Sequence, residues 1–239
     1  MAETEEVRYA DPAGLADGIA ERLITRIGEI QATGRSPQVC LTGGRIATAV
    51  YARLGTDGVR AAVDWTDVDW WWGDERFVAA DSDDRNDTPA LQALAPLGIA
   101  PHRVHRMPAD DGSTSLDDAA AAYATELGVT VFDVCLLGVG PDGHVASLFP
   151  GHPSASAGTA VGARAIPVRD SPKPPPDRIS LTLEVINASA QVWFCVSGQD
   201  KADAVGWART GSTDVPAGQA HGTERTLWLL DAGAAVATC

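Results

Sequence analysis

The chain has 239 residues, of which 45% are hydrophobic and 21% charged, a composition typical of a globular protein with a substantial core. Its formal net charge is −14, from 32 acidic and 18 basic residues. Such a surface repels nucleic acid and anionic membranes, so we expect neither as a partner, and a small anionic substrate would need a local cluster of basic side chains.

The first residues, MAETEEVRYADPAG, lack the basic and apolar segments of a signal peptide. No apolar run in the sequence approaches the roughly 20 residues that a membrane span needs. Three of the four cysteines lie inside apolar runs, at Cys40, Cys135 and Cys195, and the sequence has no C-x-x-C pair. We therefore expect buried, reduced cysteines and a cytoplasmic protein.

In the N-terminal half, helix and strand patterns alternate. Residues 13–33 have apolar side chains at helical spacing, and Gly34 follows as a stop. Next, QVCLTGG predicts a buried strand ending in a glycine turn, IATAVYARLG a helix, and VDWWWGDERF a strand that leads into a charged loop. After the polar loop AADSDDRND, a helix is predicted for TPALQALAPLG and a short strand for RVHRM.

The C-terminal half continues the alternation. LDDAAAAYATELG predicts a helix, VFDVCLLGVG a buried strand, and residues 151–178, rich in Gly, Ala, Ser and Pro, a long connection. Further strands and helices are predicted in ISLTLEVINAS, QVWFCVSG, QDKADAVGWAR and TLWLLD. Near-continuous apolar strands between helices are typical of a parallel sheet covered on both faces. We predict one domain, residues 1–239, with a three-layer, doubly wound, Rossmann-like α/β fold and a mostly parallel sheet.

The stretch LLGVGPDGHVASLFPG contains three glycines in the G-x-G-x-x-G spacing of dinucleotide-binding loops. That use is disfavoured because the loop lies past the middle of the chain. In addition, the helix predicted after His144 has room for only about two turns, and no strand ending in an acidic residue follows at the distance that ribose recognition needs.

The same stretch favours a catalytic use of His144. A histidine at a helix start would lie at the carboxyl edge of the sheet, where open α/β folds bind ligands. The positive end of a helix favours a neutral ring that can accept a proton, and Asp142 could orient that ring. The alternative is that His144 only caps or packs.

Three other turns are predicted at the same edge. They contain Thr42-Gly43-Gly44-Arg45, Gly73-Asp74-Glu75-Arg76, and Lys201, which is one of only two lysines. Each alone is weak evidence, since glycine turns end many strands and D-E-R usually forms a solvated loop. Their predicted convergence favours an anion site.

Taken in chain order, LTGGR, WWWGDERFV, LLGVGPDGHVASLFPGHP, KPPPDRISLT and VSGQDKADAV resemble the 6-phosphogluconolactonase family, over about residues 39–205. The related glucosamine-6-phosphate deaminases share the G-x-D-G-H core but tend to continue A-F-N-E-P, so Ser147-Leu148-Phe149 favours the lactonase. Where many family members have S-T-P after the double glycine, this chain has Arg45-Ile46-Ala47, which leaves the contact made by Arg45 open.

The resemblance implies a fold related to those deaminases and hydrolysis of 6-phospho-D-glucono-1,5-lactone to 6-phosphogluconate, in the pentose phosphate pathway. We expect His144 to be the general base toward water, Asp142 to orient it, and backbone N–H groups of a glycine turn to stabilise the oxyanion. Substrate and phosphate contacts are expected from Gly43, Gly44, Arg45, Asp74, Arg76, Gly140, Arg178 and Lys201.

We expect no metal or other cofactor, because the sequence has no His and carboxylate cluster at metal-ligand spacing. A monomer is expected. Two alternatives remain open: an isomerase of the glucosamine-6-phosphate deaminase type, and a non-catalytic sugar-phosphate sensor. The charge and the absence of a DNA-binding module in the sequence disfavour the sensor.

Overall fold

The structure, a computed structural model, describes residues 3–56 and 63–235. In chain order its described strands are β1 (Glu3–Tyr9), β2 (Gln38–Leu41), β3 (Asp69–Trp72), β4 (Asp74–Arg76), β5 (Val134–Leu137), β6 (Ala165–Val168), β7 (Arg178–Leu181), β8 (Gln191–Val196) and β9 (Arg225–Asp231). The α-helices among the described residues are α1 (Pro12–Gln31), α2 (Arg45–Leu54), α3 (Asp87–Leu94), α4 (Leu116–Leu127), α5 (Pro153–Ala157), α6 (Leu183–Ala188), α7 (Ala202–Arg209) and α8 (Pro216–Gln219).

Six strands form a parallel sheet in the spatial order β1-β9-β8-β5-β2-β3. The other three form a small antiparallel sheet in the order β4-β7-β6. The strands nearest the two ends of the described chain are neighbours, since Glu3 pairs with Arg225 and Tyr9 with Asp231. One sheet therefore unites the N- and C-terminal parts of the chain.

Successive residues of the central strands point to opposite faces of the parallel sheet, and each face carries its own core. Cys40, Cys135 and Phe194 belong to one core, together with side chains of α4, α6 and α7. Their neighbours Val39, Val134 and Trp193 belong to the other core, together with α1, α2 and α3. Two helical layers around a parallel sheet confirm the predicted three-layer fold.

The start of α1 shows how local sequence sets an element. Asp11 accepts a hydrogen bond from the backbone N–H of Gly14 at 2.8 Å, and Pro12 occupies the first turn, where no N–H is needed. The helix buries one apolar stripe against the sheet, formed by Leu15, Ala16, Ile19, Ala20, Leu23, Ile27 and Ile30. Capping and periodicity together place the helix close to the predicted residues 13–33.

The segment Asp74-Glu75-Arg76 forms strand β4, whereas a charged loop was predicted. Glu75 is buried because its carboxylate has partners: its two oxygens accept hydrogen bonds from the backbone N–H groups of Asn86 at 2.6 Å and Asp87 at 2.9 Å. Those N–H groups begin α3, so Glu75 acts as its cap from a distant strand. The prediction of a loop, which rested on the charge of this segment, was therefore wrong.

The predicted strand RVHRM is also wrong in extent, since only Val104 pairs, through an isolated bridge to Trp70. His105 stacks on Trp71 with 3.7 Å between ring centroids, so it is half-buried, whereas His102 is exposed. The long connection 151–178 contains α5 and β6.

Cys40, Cys135 and Cys195 are buried and free, as predicted, and Cys239 lies outside the described residues. Burial raises the pKa of Cys195 to about 12. In the described part of the chain, no helix is both long and apolar enough to cross a membrane.

Candidate functional site

A cavity of about 680 Å³ lies at the carboxyl ends of the parallel strands. Its walls include Gly43 after β2, Asp74 after β3, Gly138 after β5, Gly198 after β8, and Asp231 at the end of β9. Parallel strands present their carboxyl ends at one edge of a sheet, which is why turns far apart in sequence meet here.

Nearly all of the predicted site residues line this cavity: Gly43, Gly44, Arg45, Asp74, Arg76, Gly140, His144, Arg178 and Lys201. Asp142 is absent from the lining but is hydrogen-bonded to His144. The structure therefore brings the predicted residues together at one cavity, and the roles assigned to them remain proposals.

His144 and Asp142 form a close pair. Nδ1 of His144 lies 2.5 Å from Oδ1 of Asp142, and the imidazole also packs against Phe149, with ring centroids 4.7 Å apart. Gly140 makes room for the pair, since a Cβ there would stand 2.0 Å from Cε1 of His144 and 2.5 Å from Asp142 Oδ1. The N–H of Gly140 donates to the carbonyl of His144 at 3.0 Å. The glycine is thus part of the geometry that fixes the histidine.

The helix predicted to begin at His144 is not formed: the described residues 141–152 form turns, and α5 starts only at Pro153. Side-chain hydroxyls take two of the N–H groups that a helix would use. Ser180 Oγ accepts from Ser147 N at 3.2 Å, and Ser154 Oγ accepts from Phe149 N at 3.1 Å. Among the described residues, the helix end that was expected beside His144 is therefore not present.

Lys173 supplies positive charge at this place. Its Nζ lies 3.3 Å from His144 Nδ1 and 3.6 Å from Asp142 Oδ1. Burial disfavours the charged Asp142, but the hydrogen bond and charge of His144 and the charge of Lys173 outweigh it and hold the pKa of Asp142 well below its usual value. Sequence reasoning missed this residue, and its only signals were the KPPPDR motif and the rarity of lysine.

Arg178 holds the loop that carries Lys173. Its side chain is 6% exposed, and its guanidinium donates to the carbonyls of Lys173 at 2.9 Å, Pro174 at 3.1 Å and Pro175 at 3.1 Å. It also lies 3.9 Å from Asp74 Oδ2. These partners explain the burial of Arg178, and its contact with phosphate stays a prediction.

Asp74 joins three segments at the base of the cavity. Ser147 Oγ donates to its Oδ2 at 2.6 Å, and Asn86 Nδ2 donates to its backbone carbonyl at 3.1 Å. Asn86 lines the cavity and was not predicted. Gly43 makes room for it, since a Cβ on Gly43 would stand 2.0 Å from Asn86 Oδ1.

Basic groups of two elements meet where α2 begins. Arg45 is the first residue of α2 and is exposed, and Lys201 Nζ lies 2.8 Å from Asp200 Oδ2. The hydrogen bond and charge of Lys201, with the charge of Arg45, lower the pKa of Asp200. Among the described residues, the backbone N–H groups of Gly43 and Gly44 have no hydrogen-bond partner.

The glycine loop beside His144 differs in this respect. Gly138 N donates to Thr42 Oγ1 at 3.3 Å, and Gly143 N donates to the carbonyl of Gly140 at 2.9 Å. The Gly43–Gly44 turn is therefore the better donor of hydrogen bonds to an anion. No group of three or more His, Cys, Asp or Glu side chains in residues 3–56 and 63–235 is placed to hold a metal ion.

Known proteins resemble this chain over nearly its whole length. The family model described as glucosamine-6-phosphate isomerases/6-phosphogluconolactonase matches residues 10–228. A protein of Streptomyces coelicolor named 6-phosphogluconolactonase is 46% identical, over 98% of this chain and 95% of its own. One of Mycobacterium tuberculosis with the same name is 41% identical, over 95% of each chain.

Solved structures show the same fold. That of 6-phosphogluconolactonase from Thermotoga maritima has a TM-score of 0.84 and 28% identity, covering 96% of this chain and 100% of that one. A monomeric glucosamine-6-phosphate deaminase has a TM-score of 0.78 at 18% identity, over 96% of this chain and 98% of its own, and shows a shared fold alone. On the family match and these near full-length identities, the chain belongs to the family of glucosamine-6-phosphate isomerases and 6-phosphogluconolactonases.

Proposed function

We propose that this chain hydrolyses 6-phospho-D-glucono-1,5-lactone to 6-phosphogluconate. Its bacterial relatives of nearly equal length carry the name of that activity. The observation that carries the proposal is the His144–Asp142 pair beside a cavity that gathers basic side chains, in a chain of net charge −14. The basic side chains that line the cavity with His144 are Arg45, Arg76, Lys173, Arg178 and Lys201.

His144 is the proposed general base. Because Asp142 accepts the hydrogen of Nδ1, the neutral ring keeps a lone pair on Nε2, which has no hydrogen-bond partner among the described residues. Nε2 takes a proton from water as the water oxygen adds to C1 of the lactone. When the bond between C1 and the ring oxygen breaks, the imidazolium returns that proton to the ring oxygen, so one water is consumed.

The oxyanion that forms at C1 needs a positive neighbour. Lys173 is the group we propose, because its ammonium lies 3.3 Å from His144 Nδ1 while the N–H groups of Gly138, Gly140 and Gly143 are committed to protein acceptors. Arg178 keeps Lys173 in place through the carbonyls that it binds.

The phosphate group is proposed to bind where α2 begins, between Arg45 and Lys201. The N–H groups of Gly43 and Gly44, which have no partner in the described part of the chain, support the same use, since a helix N-terminus attracts anions. Arg76 lines the cavity as well, although its guanidinium donates to the carbonyl of Asp84.

We further propose a monomeric, cytoplasmic enzyme without a cofactor. Support for the monomer is that one chain supplies every group in the scheme above. Support for a reducing compartment is that Cys40, Cys135 and Cys195 are buried and free.

The test is a coupled assay of freshly generated lactone, measured above its spontaneous hydrolysis. We expect a protein-dependent rate of 6-phosphogluconate formation and no ammonia release from glucosamine-6-phosphate. Ammonia release without lactone hydrolysis would transfer the function to the isomerase branch of the family, and binding without turnover would indicate a sensor.

A further inference from the structure

Asp231, the last residue of β9, is a carboxylate that lines the cavity and that the proposed reaction leaves unused. It is 3% exposed. Its Oδ2 accepts from Ser197 Oγ at 2.6 Å, and its Oδ1 accepts from the backbone N–H groups of Gly198 at 3.1 Å and Ala234 at 2.8 Å. With both oxygens occupied by the protein, Asp231 is poorly placed to bind a sugar hydroxyl or to act as a base.

The topology explains why Asp231 meets this turn. Strands β8 and β9 are parallel neighbours, and Val196 pairs with Leu230. One residue further on, Ser197 therefore stands beside Asp231. The turn after β8 is held by a side chain from the next strand of the sheet.

The turn after β8 carries Lys201. Gly198 has φ 105°, a conformation that favours glycine, and its carbonyl accepts the N–H of Lys201 at 3.1 Å. A Cβ on Gly198 would stand 3.8 Å from Nζ of Lys201, so the ammonium folds back over this glycine. The N–H of the same glycine is the one that Asp231 holds.

We propose that Asp231 is a positioning residue, which fixes the Ser197–Gly198 turn so that the ammonium of Lys201 is preorganised for the phosphate group of the substrate. This inference rests on the proposed function, in which Lys201 binds that phosphate. A turn without its anchor must be ordered on binding, and that ordering weakens affinity. His144 lies on a different loop, so the effect belongs in KM and not in kcat.

Three variants separate the effect of the hydrogen bonds of Asp231 from the effect of its negative charge. Asp231→Ala removes all three hydrogen bonds and is expected to raise KM about tenfold with kcat within about twofold. Ser197→Ala removes one hydrogen bond and is expected to raise KM about threefold. Asp231→Asn keeps an acceptor for Gly198 and can donate to Ser197, so it should restore a KM close to that of the wild type.

Inorganic phosphate, used as a competitive inhibitor, reports on the same end of the cavity without turnover. Its inhibition constant should rise in parallel with KM in Asp231→Ala and Ser197→Ala. The matched control is Asp133→Ala, at the opposite edge of the sheet, where a buried carboxylate accepts the N–H of Gln38 at 2.9 Å. This control should lower the melting temperature and leave KM and phosphate inhibition unchanged.

The outcomes distinguish this inference from the function on which it rests. If the wild type shows no lactone hydrolysis above the spontaneous rate, the proposed function fails. If the wild type is active and neither KM nor phosphate inhibition changes in Ser197→Ala and Asp231→Ala, the inference alone is overturned, as it is if only kcat falls. Should Asp231→Ala not fold, a raised KM in Ser197→Ala with a normal KM in Asp231→Asn supports the anchor, and any other pair of results rejects it.

Discussion

Gly140 is where the backbone and the proposed base meet most closely. A side chain at this position would overlap His144 and Asp142, with contacts of 2.0 Å and 2.5 Å. Both side chains would have to leave their hydrogen-bonded arrangement to make room. The close approach of His144 and Asp142 therefore explains why a glycine is needed at this position.

We therefore expect Gly140→Ala to lower kcat by at least about 100-fold, because a displaced base loses its alignment with the attacking water. The measurement is steady-state lactone hydrolysis, with circular dichroism to show that the fold is kept. The matched variant is Gly138→Ala in the same loop, whose Cβ would meet nothing closer than 3.8 Å and which should lose far less. Equal losses in the two variants would contradict this reasoning.

The start of α3 depends on charged groups brought from outside the helix. Arg85 is 1% exposed and forms a hydrogen-bonded ion pair with Asp87 at 2.7 Å, and Arg106 donates to the same carboxylate at 2.7 Å. Glu75 of β4 caps the helix. This network holds Asn86 against Gly43, and so connects the helix to the cavity.

Replacing Asp87 by Asn should destabilise the protein by about 3 kcal/mol, since the buried Arg85 loses its hydrogen-bonded carboxylate and keeps only Glu75, 3.8 Å away, as a charge partner. Burial opposes the charge of Asp87, but its hydrogen bonds with Arg85 and Arg106 lower its pKa below the usual 3.8. Its contribution is therefore complete above about pH 4 and is lost as the pH falls through the lowered folded value. Urea unfolding should show a wild-type advantage that shrinks as the pH falls below about 4. An advantage that grows on acidification would contradict the assignment.

At the scale of elements, the sequence predicted the turns at the strand ends but not the side chains that other loops bring to those turns. Glycines and apolar runs predicted β2, β5 and β8, and parallel strands necessarily bring their ends together. Lys173 reaches the site through a proline loop held by Arg178, and no periodicity encodes such a contact.

The two main errors have a similar cause. The helix after His144 does not form, because Ser147 and Phe149 donate their N–H groups to hydroxyls of Ser180 and Ser154, and the predicted loop at Glu75 is a strand because its backbone pairs with β7. Ser180 and β7 are both remote in the chain from the segments that they bind. Local sequence patterns mispredict an element when a group far away in the chain binds the polar atoms of that segment.

The whole molecule carries 14 more negative than positive formal charges, yet its cavity gathers arginines and lysines. The net charge repels a phosphorylated substrate, whereas the basic side chains of the cavity attract it. The phosphate contacts should therefore decide which lactone is accepted.

We expect glucono-1,5-lactone, which lacks the phosphate, to be hydrolysed with a kcat/KM at least about 100-fold lower than its 6-phosphate. The loss should appear mainly in KM, because the reacting carbonyl is unchanged. Parallel initial-rate measurements on the two lactones, each corrected for spontaneous hydrolysis, provide the comparison. Similar values of kcat/KM would show that the basic side chains do not select the phosphate.

The central claim is that His144 activates the water that opens the lactone, and the most direct measurement is the rate of His144→Ala on fresh 6-phospho-D-glucono-1,5-lactone. We predict a kcat at least about 100-fold below that of the wild type, the usual contribution of a general base. His102→Ala, which removes an exposed histidine, should keep the wild-type rate. A His144→Ala protein that is folded and hydrolyses the lactone at the wild-type rate would contradict the account.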